Sequence, residues 1–287
     1  MEQPRSLLAA LKHWSAVQPG KTLHTFMDDH GAEVESLTYG QLQARATALA
    51  AKMLDPASRG MQPGDRALLV FPPCLDFIVA FYACLLAGVV AVPVFPPDPR
   101  GKGAKEVALF AAVVRTSGAT TALTSKAYNL ATKLGGLKRL FTGSGGSGGG
   151  LGAWPEHLAW VVVDEVAQKE TPGAKASEDY PKGTAAALQA AAVADASGAN
   201  RDTPAFLQFT SGSTSEPKGV VISHGNLGHN LSLIVAGLKA ADDTVPNTCT
   251  HAHPTRTCLL RLRGNQRHKL RQRLRPKDWR GGSVWGL

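Results

Sequence analysis

Cysteine, aromatic residues and charge are all scarce in this 287-residue chain, and each shortage narrows what the protein can be. Its four cysteines, Cys74, Cys84, Cys249 and Cys258, are too few and too scattered for a disulfide scaffold, which makes a reducing compartment, the cytoplasm, the expectation. Charged residues make up 18% against 44% hydrophobic, a balance that excludes a disordered chain and supplies a real core. A secretory signal is also missing: Glu2 precedes Arg5, and the apolar stretch 7–11 is short and stopped by Lys12. Residues 77–95 are 19 in a row without a charge, but Gly88 and Pro93 break them and Pro96–Pro97 follow. A buried helix leading into a buried strand is therefore expected there, and no transmembrane span. There is no internal repeat.

Acidic residues almost vanish from the C-terminal end. Ten of the 31 bases and one of the 22 acids fall in residues 246–287, so that stretch carries the whole +9. Residues 1–245, with 21 of each sign, are neutral. A basic chain ordinarily points to nucleic acid or an anionic membrane. Here that argument applies to the tail alone.

Short apolar runs alternate with helical patterns along the neutral body. Leu7, Leu8, Leu11 and Trp14 recur at helical spacing. Thr38 and Gln41 are placed for a capping box ahead of Leu42, Ala46, Leu49 and Met53. Strands are expected at 66–71, 89–94, 119–124, 158–164, 204–209 and 219–223, and helices at 75–87, ended by Gly88, then at 105–115, 125–134 and 226–238. The reading is an α/β fold with a mostly parallel sheet flanked by helices. Two segments of low complexity interrupt it: a Gly-rich insertion at 142–152, without the Lys or the fixed spacing of a phosphate loop, and an Ala/Ser/Gly/Lys-rich linker at 168–200.

The stretch TSGSTSEPKG (210–219) carries the chemistry. It lies between two apolar runs, AFLQF and GVVIS, so it reads as a loop between strands. Gly212 lets the backbone approach an anion closely, while Thr210, Ser211, Ser213 and Thr214 add hydroxyl donors. Lys218 supplies a cation for phosphate oxygens, and Pro217 restricts the loop before the second strand. It is not a Walker A loop, in which Gly-Lys-Ser/Thr runs into a helix. On residue chemistry alone an ordinary Ser/Thr-rich hairpin remains the alternative.

FTSGSTSEPKGVVISHGNL (209–227) resembles the phosphate-loop signature of the adenylate-forming superfamily, which includes acyl-CoA synthetases, peptide-synthetase adenylation domains and luciferases. TFMDDHG (25–31), LTYGQL (37–42), PGDRALLVFPP (63–73) and DFIVAFYACLLAGVVAVPVFPP (76–97) are similar, in order and spacing, to its fatty-acyl-AMP ligase branch. The resemblance covers residues 6–245 and implies a partial AMP-binding domain, the incomplete N-terminal domain of that fold. It implies that a fatty-acid carboxylate attacks the α-phosphate of ATP with Mg²⁺, releasing pyrophosphate and leaving acyl-AMP. The acyl group would then pass to a carrier-protein phosphopantetheine thiol or, in the related synthetases, to coenzyme A. Thr210, Ser211, Gly212, Ser213, Thr214 and Lys218 match the ATP-phosphate loop of the family. No catalytic acid, base or metal ligand is placed by the matching region.

Beyond Val245 the family motifs stop, and residues 246–287 read as a disordered basic tail on a truncated enzyme. A zinc site from Cys249, His251, His253 and Cys258 has an unusual spacing, and a nucleic-acid role for 261–277 rests on charge alone. Translation from another reading frame or a retained intron is the simpler account of the tail. The truncated chain is expected either to lack activity or to bind a partner without catalysis.

Overall fold

The computed structural model describes residues 6–28, 30–98, 104–141, 155, 157–164, 188, 200–210, 217–238 and 247–249. In chain order these form α1 (Leu7–Val17), β1 (Thr22–Met27), β2 (Glu33–Thr38), α2 (Tyr39–Leu54), β3 (Arg66–Val70), α3 (Leu75–Ala87), β4 (Val90–Val94) and α4 (Ala104–Ser117). There follow β5 (Thr121–Thr124), α5 (Lys126–Phe141), β6 (Ala159–Val162), β7 (Pro204–Thr210), β8 (Lys218–Ser223), α6 (His224–Leu238) and β9 (Asn247–Cys249).

Helix ends form where the side chains supply partners for orphan backbone groups. Ser6 accepts the Ala9 N–H at 3.0 Å and starts α1. Thr38 and Gln41 make the expected reciprocal box: Thr38 Oγ1 accepts the Gln41 N–H and Gln41 Oε1 accepts the Thr38 N–H. At the end of α3, Gly88 takes φ +68°. Its N–H donates to Leu85 O and the Val89 N–H to Cys84 O, the two bonds of a Schellman stop.

The sheet that follows has the order β6-β5-β3-β4-β7-β8. Its pairs are parallel from β6 through β7 and antiparallel only between β7 and β8. Period-two alternation gives it two apolar faces, so helices cover both. Ala67, Leu69, Ala91 and Leu123 join one buried cluster with Leu42, Leu49 and Met53 of α2 and Val79 and Phe81 of α3. Leu68, Val70, Val92 and Ala122 join the other with Phe110, Val113 and Val114 of α4 and Tyr128 of α5. A right-handed crossover requires this: β3 to β4 steps one way across the sheet, and β4 to β5 steps back past β3.

Three strands were absent from the sequence reading. β1 and β2 form an antiparallel hairpin whose turn is held by Asp28 Oδ1, which accepts the N–H groups of His30 and Ala32. β9 pairs in parallel with β1, Thr25 opposite Asn247. The expected disordered tail thus contains a strand at Asn247–Cys249; its other residues lie outside the described ones. The insertion 142–152 also lies outside them, as does the linker 168–200 apart from Leu188 and Asn200. Leu188 packs half-buried against the α2–α3 side of the core. Among the described residues no helix is long and apolar enough to cross a membrane.

Candidate phosphate-binding site

Parallel strands deliver all their C-terminal ends to one edge of the sheet, and there loops are free to carry ligand groups. That edge collects the segments after β3, β4, β5 and β6 and the loop between β7 and β8. Hydrogen bonds between these segments order it. Thr124 Oγ1 donates to Val70 O at 2.6 Å, Tyr128 Oη donates to Pro97 O at 2.7 Å, and the Lys126 N–H donates to Asp164 Oδ1 at 2.8 Å. α3 and α4 leave the neighbouring strands β3 and β4 toward opposite faces, so those two strand ends form the topological switch point of the sheet, the usual place for a ligand in such folds.

The β7–β8 hairpin stands immediately beside β4, with Ala91 opposite Phe206. Its ladder runs from Pro204 opposite Ser223 to Thr210 opposite Lys218. Thr210 and Lys218 are therefore the last pair before the loop, and both are exposed at its mouth. Pro217, next to Lys218, is buried and anchors the returning chain. Ser211, Gly212, Ser213 and Thr214 lie outside the described residues. Of the six residues matched to the phosphate loop, the structure brings together Thr210 and Lys218.

One pair back, Phe209 faces Gly219. A Cβ on Gly219 would lie 3.0 Å from Phe209 Cζ and 3.2 Å from Cε1, so the ring lies directly on the glycine. At the far end of β8, Ser223 and Asn226 cap α6 reciprocally. Ser223 Oγ accepts the Asn226 N–H, and Asn226 Oδ1 accepts the Ser223 N–H, both at 3.2 Å. The spacing S-x-x-N makes a box like the Ser/Thr-x-x-Glu/Gln one, with Asn in the third helical position, and the helix starts at His224, two residues before the expected 226.

A charged cluster beneath the sheet edge was not. Arg45 on α2 pairs with Asp76 in the first turn of α3 and lies 3.7 Å from Glu35 of β2. Burial raises the Asp76 pKa; Arg45 works against that shift, and the charge of Asp164 adds to it. Thirty-one positions separate Arg45 from Asp76, so no local pattern announces the pair. Cys74, just before α3, has its thiol pushed up to about 11, mainly by burial, and is a protonated thiol near neutral pH. Among the described residues no group of three His, Cys, Asp or Glu side chains is arranged to hold a metal ion. Cys249 lies in β9, while His251, His253 and Cys258 lie outside the described residues.

A mostly parallel sheet covered by helices on both faces, with an antiparallel β7–β8 hairpin opening at its C-terminal edge, defines an α/β protein. The AMP-binding enzyme profile matches residues 11–262, and the chain belongs to that family. The match runs past residue 245 and includes β9. The chain is 31% identical over 246 residues to the medium-chain fatty acid–acyl-carrier-protein ligase JamA of Moorena producens, covering 85% of this chain and 35% of that protein. It is 28% identical to the long-chain fatty acid–AMP ligase FadD32 of Mycolicibacterium smegmatis, over 83% of this chain and 32% of the relative. Among solved structures, the fatty acyl-adenylate ligase of L. pneumophila in complex with acyl adenylate and pyrophosphate superposes with a TM-score of 0.57 at 28% identity. It covers 84% of this chain and 34% of its own. The chain thus spans about a third of the length of these relatives.

Proposed function

We propose that this chain supplies the triphosphate-gripping part of a fatty-acid-adenylating ligase. The observation that carries the reading is the pairing of Thr210 with Lys218 at the mouth of the hairpin loop, on the ligand edge of the sheet. Lys218 meets phosphate oxygens as a point charge, and Thr210 Oγ1 donates beside it. Ser211, Gly212, Ser213 and Thr214 complete the grip with hydroxyl and backbone donors. These hydroxyl, backbone and ammonium donors fit phosphate, and Mg²⁺ would neutralise charge on the nucleotide's own oxygens.

In the reaction proposed, a fatty-acid carboxylate attacks the α-phosphate, pyrophosphate leaves toward the loop, and acyl-AMP remains. The similarity to JamA, a fatty acid–acyl-carrier-protein ligase, supports a carrier-protein thiol over coenzyme A as the acceptor. The setting proposed is cytoplasmic, with no nucleic-acid partner.

Titration calorimetry with Mg·ATP tests the phosphate grip directly. Lys218→Met should weaken binding about tenfold or more, the worth of a charge-assisted contact. Equal affinity for wild type and variant removes Lys218 from the site. Fatty-acid-dependent exchange of labelled pyrophosphate into ATP, run on the natural protein with acyl-carrier protein and coenzyme A as competing acceptors, tests the chemistry.

A further inference from the structure

We infer that the Phe209 ring, laid across Gly219, is a positioning device that fixes Lys218 and Thr210 for phosphate binding. The inference rests on the phosphate reading of the loop and explains how its stem is held. β8 ends the sheet, so among the described residues it has a hydrogen-bonded partner on one side only. Its middle residues give little anchorage, since Val220 is 48% exposed and Val221 56%. Ile222 packs against the core, but it lies four pairs back from the loop mouth. Near the loop, buried Pro217 holds the returning chain on one side of Lys218, and Phe209 bears on Gly219 on the other. The Phe209 side chain packs against the cluster of Leu68, Val70, Val92 and Val94, while its ring lies against one side of Gly219, whose other side is exposed.

Glycine weakens a strand by leaving backbone uncovered and unrestricted, and a cross-strand aromatic ring compensates by covering it. The fit is tight: a Cβ at 219 would stand 3.0 Å from the ring, so any other residue there requires the ring to shift. The next pair outward is Thr210 with Lys218, so loss of the ring leaves Pro217 as the remaining hold beside the cation and loosens that end of β8. Phe209 acts through Lys218 and is a positioning residue, without a proposed contact to the ligand.

The test uses the full chain, hydrogen exchange of the β8 amides, and calorimetric titration with Mg·pyrophosphate. Phe209→Ala removes the ring and Gly219→Val displaces it, while Phe209→Tyr keeps it. The first two should exchange about fivefold faster at 218–220 and bind pyrophosphate about fivefold more weakly, with exchange in β3, β4 and β5 unchanged. The tyrosine variant should match wild type in both. Gly219→Val is the decisive variant, because valine raises strand propensity and a purely structural account predicts slower exchange. Unchanged exchange in Phe209→Ala overturns the clamp, as does faster exchange with undiminished affinity. A wild-type chain that binds no pyrophosphate overturns instead the phosphate reading on which the positioning role depends.

Discussion

Replacing Gly88 by alanine should destabilise the chain by about 2–3 kcal/mol, and the structure divides that loss into two parts. The first is conformational. Gly88 sits at φ +68°, where a Cβ crowds the following carbonyl, at about 1–2 kcal/mol for an L-residue. The second is steric. A Cβ built there lies 3.2 Å from Pro63 Cβ and 3.6 Å from Pro63 Cα, in a loop tied to Gly88 by the 2.8 Å bond from the Gly64 N–H to Gly88 O. The neighbour is a rigid ring on bonded backbone, so it yields little, and overpacking of this kind adds about 1 kcal/mol or more. Gly31 provides the control, since it has φ +84° but nothing within 4 Å of its would-be Cβ. Gly31→Ala should therefore lose only the conformational part, about 1 kcal/mol. Urea unfolding followed by far-ultraviolet circular dichroism, with midpoints compared at constant slope, measures both variants. A neutral Gly88→Ala would falsify the left-handed argument, and equal losses at the two sites would remove Pro63 from it.

Two further outcomes test the N-terminal half. Thr38→Ala breaks the capping box of α2 and should lower stability by about 1 kcal/mol in the same assay, whereas Thr38→Ser should retain most of it. Burial of His24 on β1 lowers its pKa from 6.5 to about 4. The folded chain therefore resists protonation that the unfolded chain accepts. The contribution of His24 is full above pH 6.5 and is lost as pH falls from there toward 4, by up to about 3 kcal/mol. His24→Gln should flatten that part of the stability–pH curve, and parallel curves for the two proteins would refute the burial argument.

What was legible in the sequence is what local chemistry decides. The limits of α3 follow from an apolar run that meets Gly88, and the start of α2 from the spacing of Thr38 and Gln41. Strands β3 to β8 announced themselves as short apolar runs because a sheet covered on both faces needs them. β2 failed that test because EVESLT lies at an edge with its first four residues exposed, so burial imposed no alternation. α5 was expected to end at residue 134 but runs on to Phe141, through Gly135 and Gly136; two glycines weaken a helix without forbidding it. The pairings of β9 with β1 and of Arg45 with Asp76 join distant positions, and no window along the chain contains both partners. In the candidate site, residue types and spacing pointed to phosphate. Only the fold could place Thr210 opposite Lys218 and lay Phe209 over Gly219.

The return of the chain through β8 also decides what kind of phosphate grip is available. In a Walker-type loop the chain passes from the glycines straight into a helix, whose N-terminal N–H groups and dipole face the anion. Here a six-residue strand intervenes, and its far end, Ser223, lies opposite Pro204 at the start of β7. At about 3.4 Å per residue, α6 begins about 17–20 Å from the loop mouth, on the N-terminal edge of the sheet. Its dipole falls off within a turn and cannot act at that distance. Its N-terminus is also already answered by the Ser223–Asn226 box and by the 2.8 Å bond from the Gly225 N–H to Arg201 O. In the grip proposed above, the anion is held by the loop's own donors and by the Lys218 ammonium, with no part for α6. Because Lys218 is exposed, the proposed contact with phosphate should weaken as salt rises. Such a grip depends on where the two stems aim Lys218, which is why the hairpin's internal contacts matter to it.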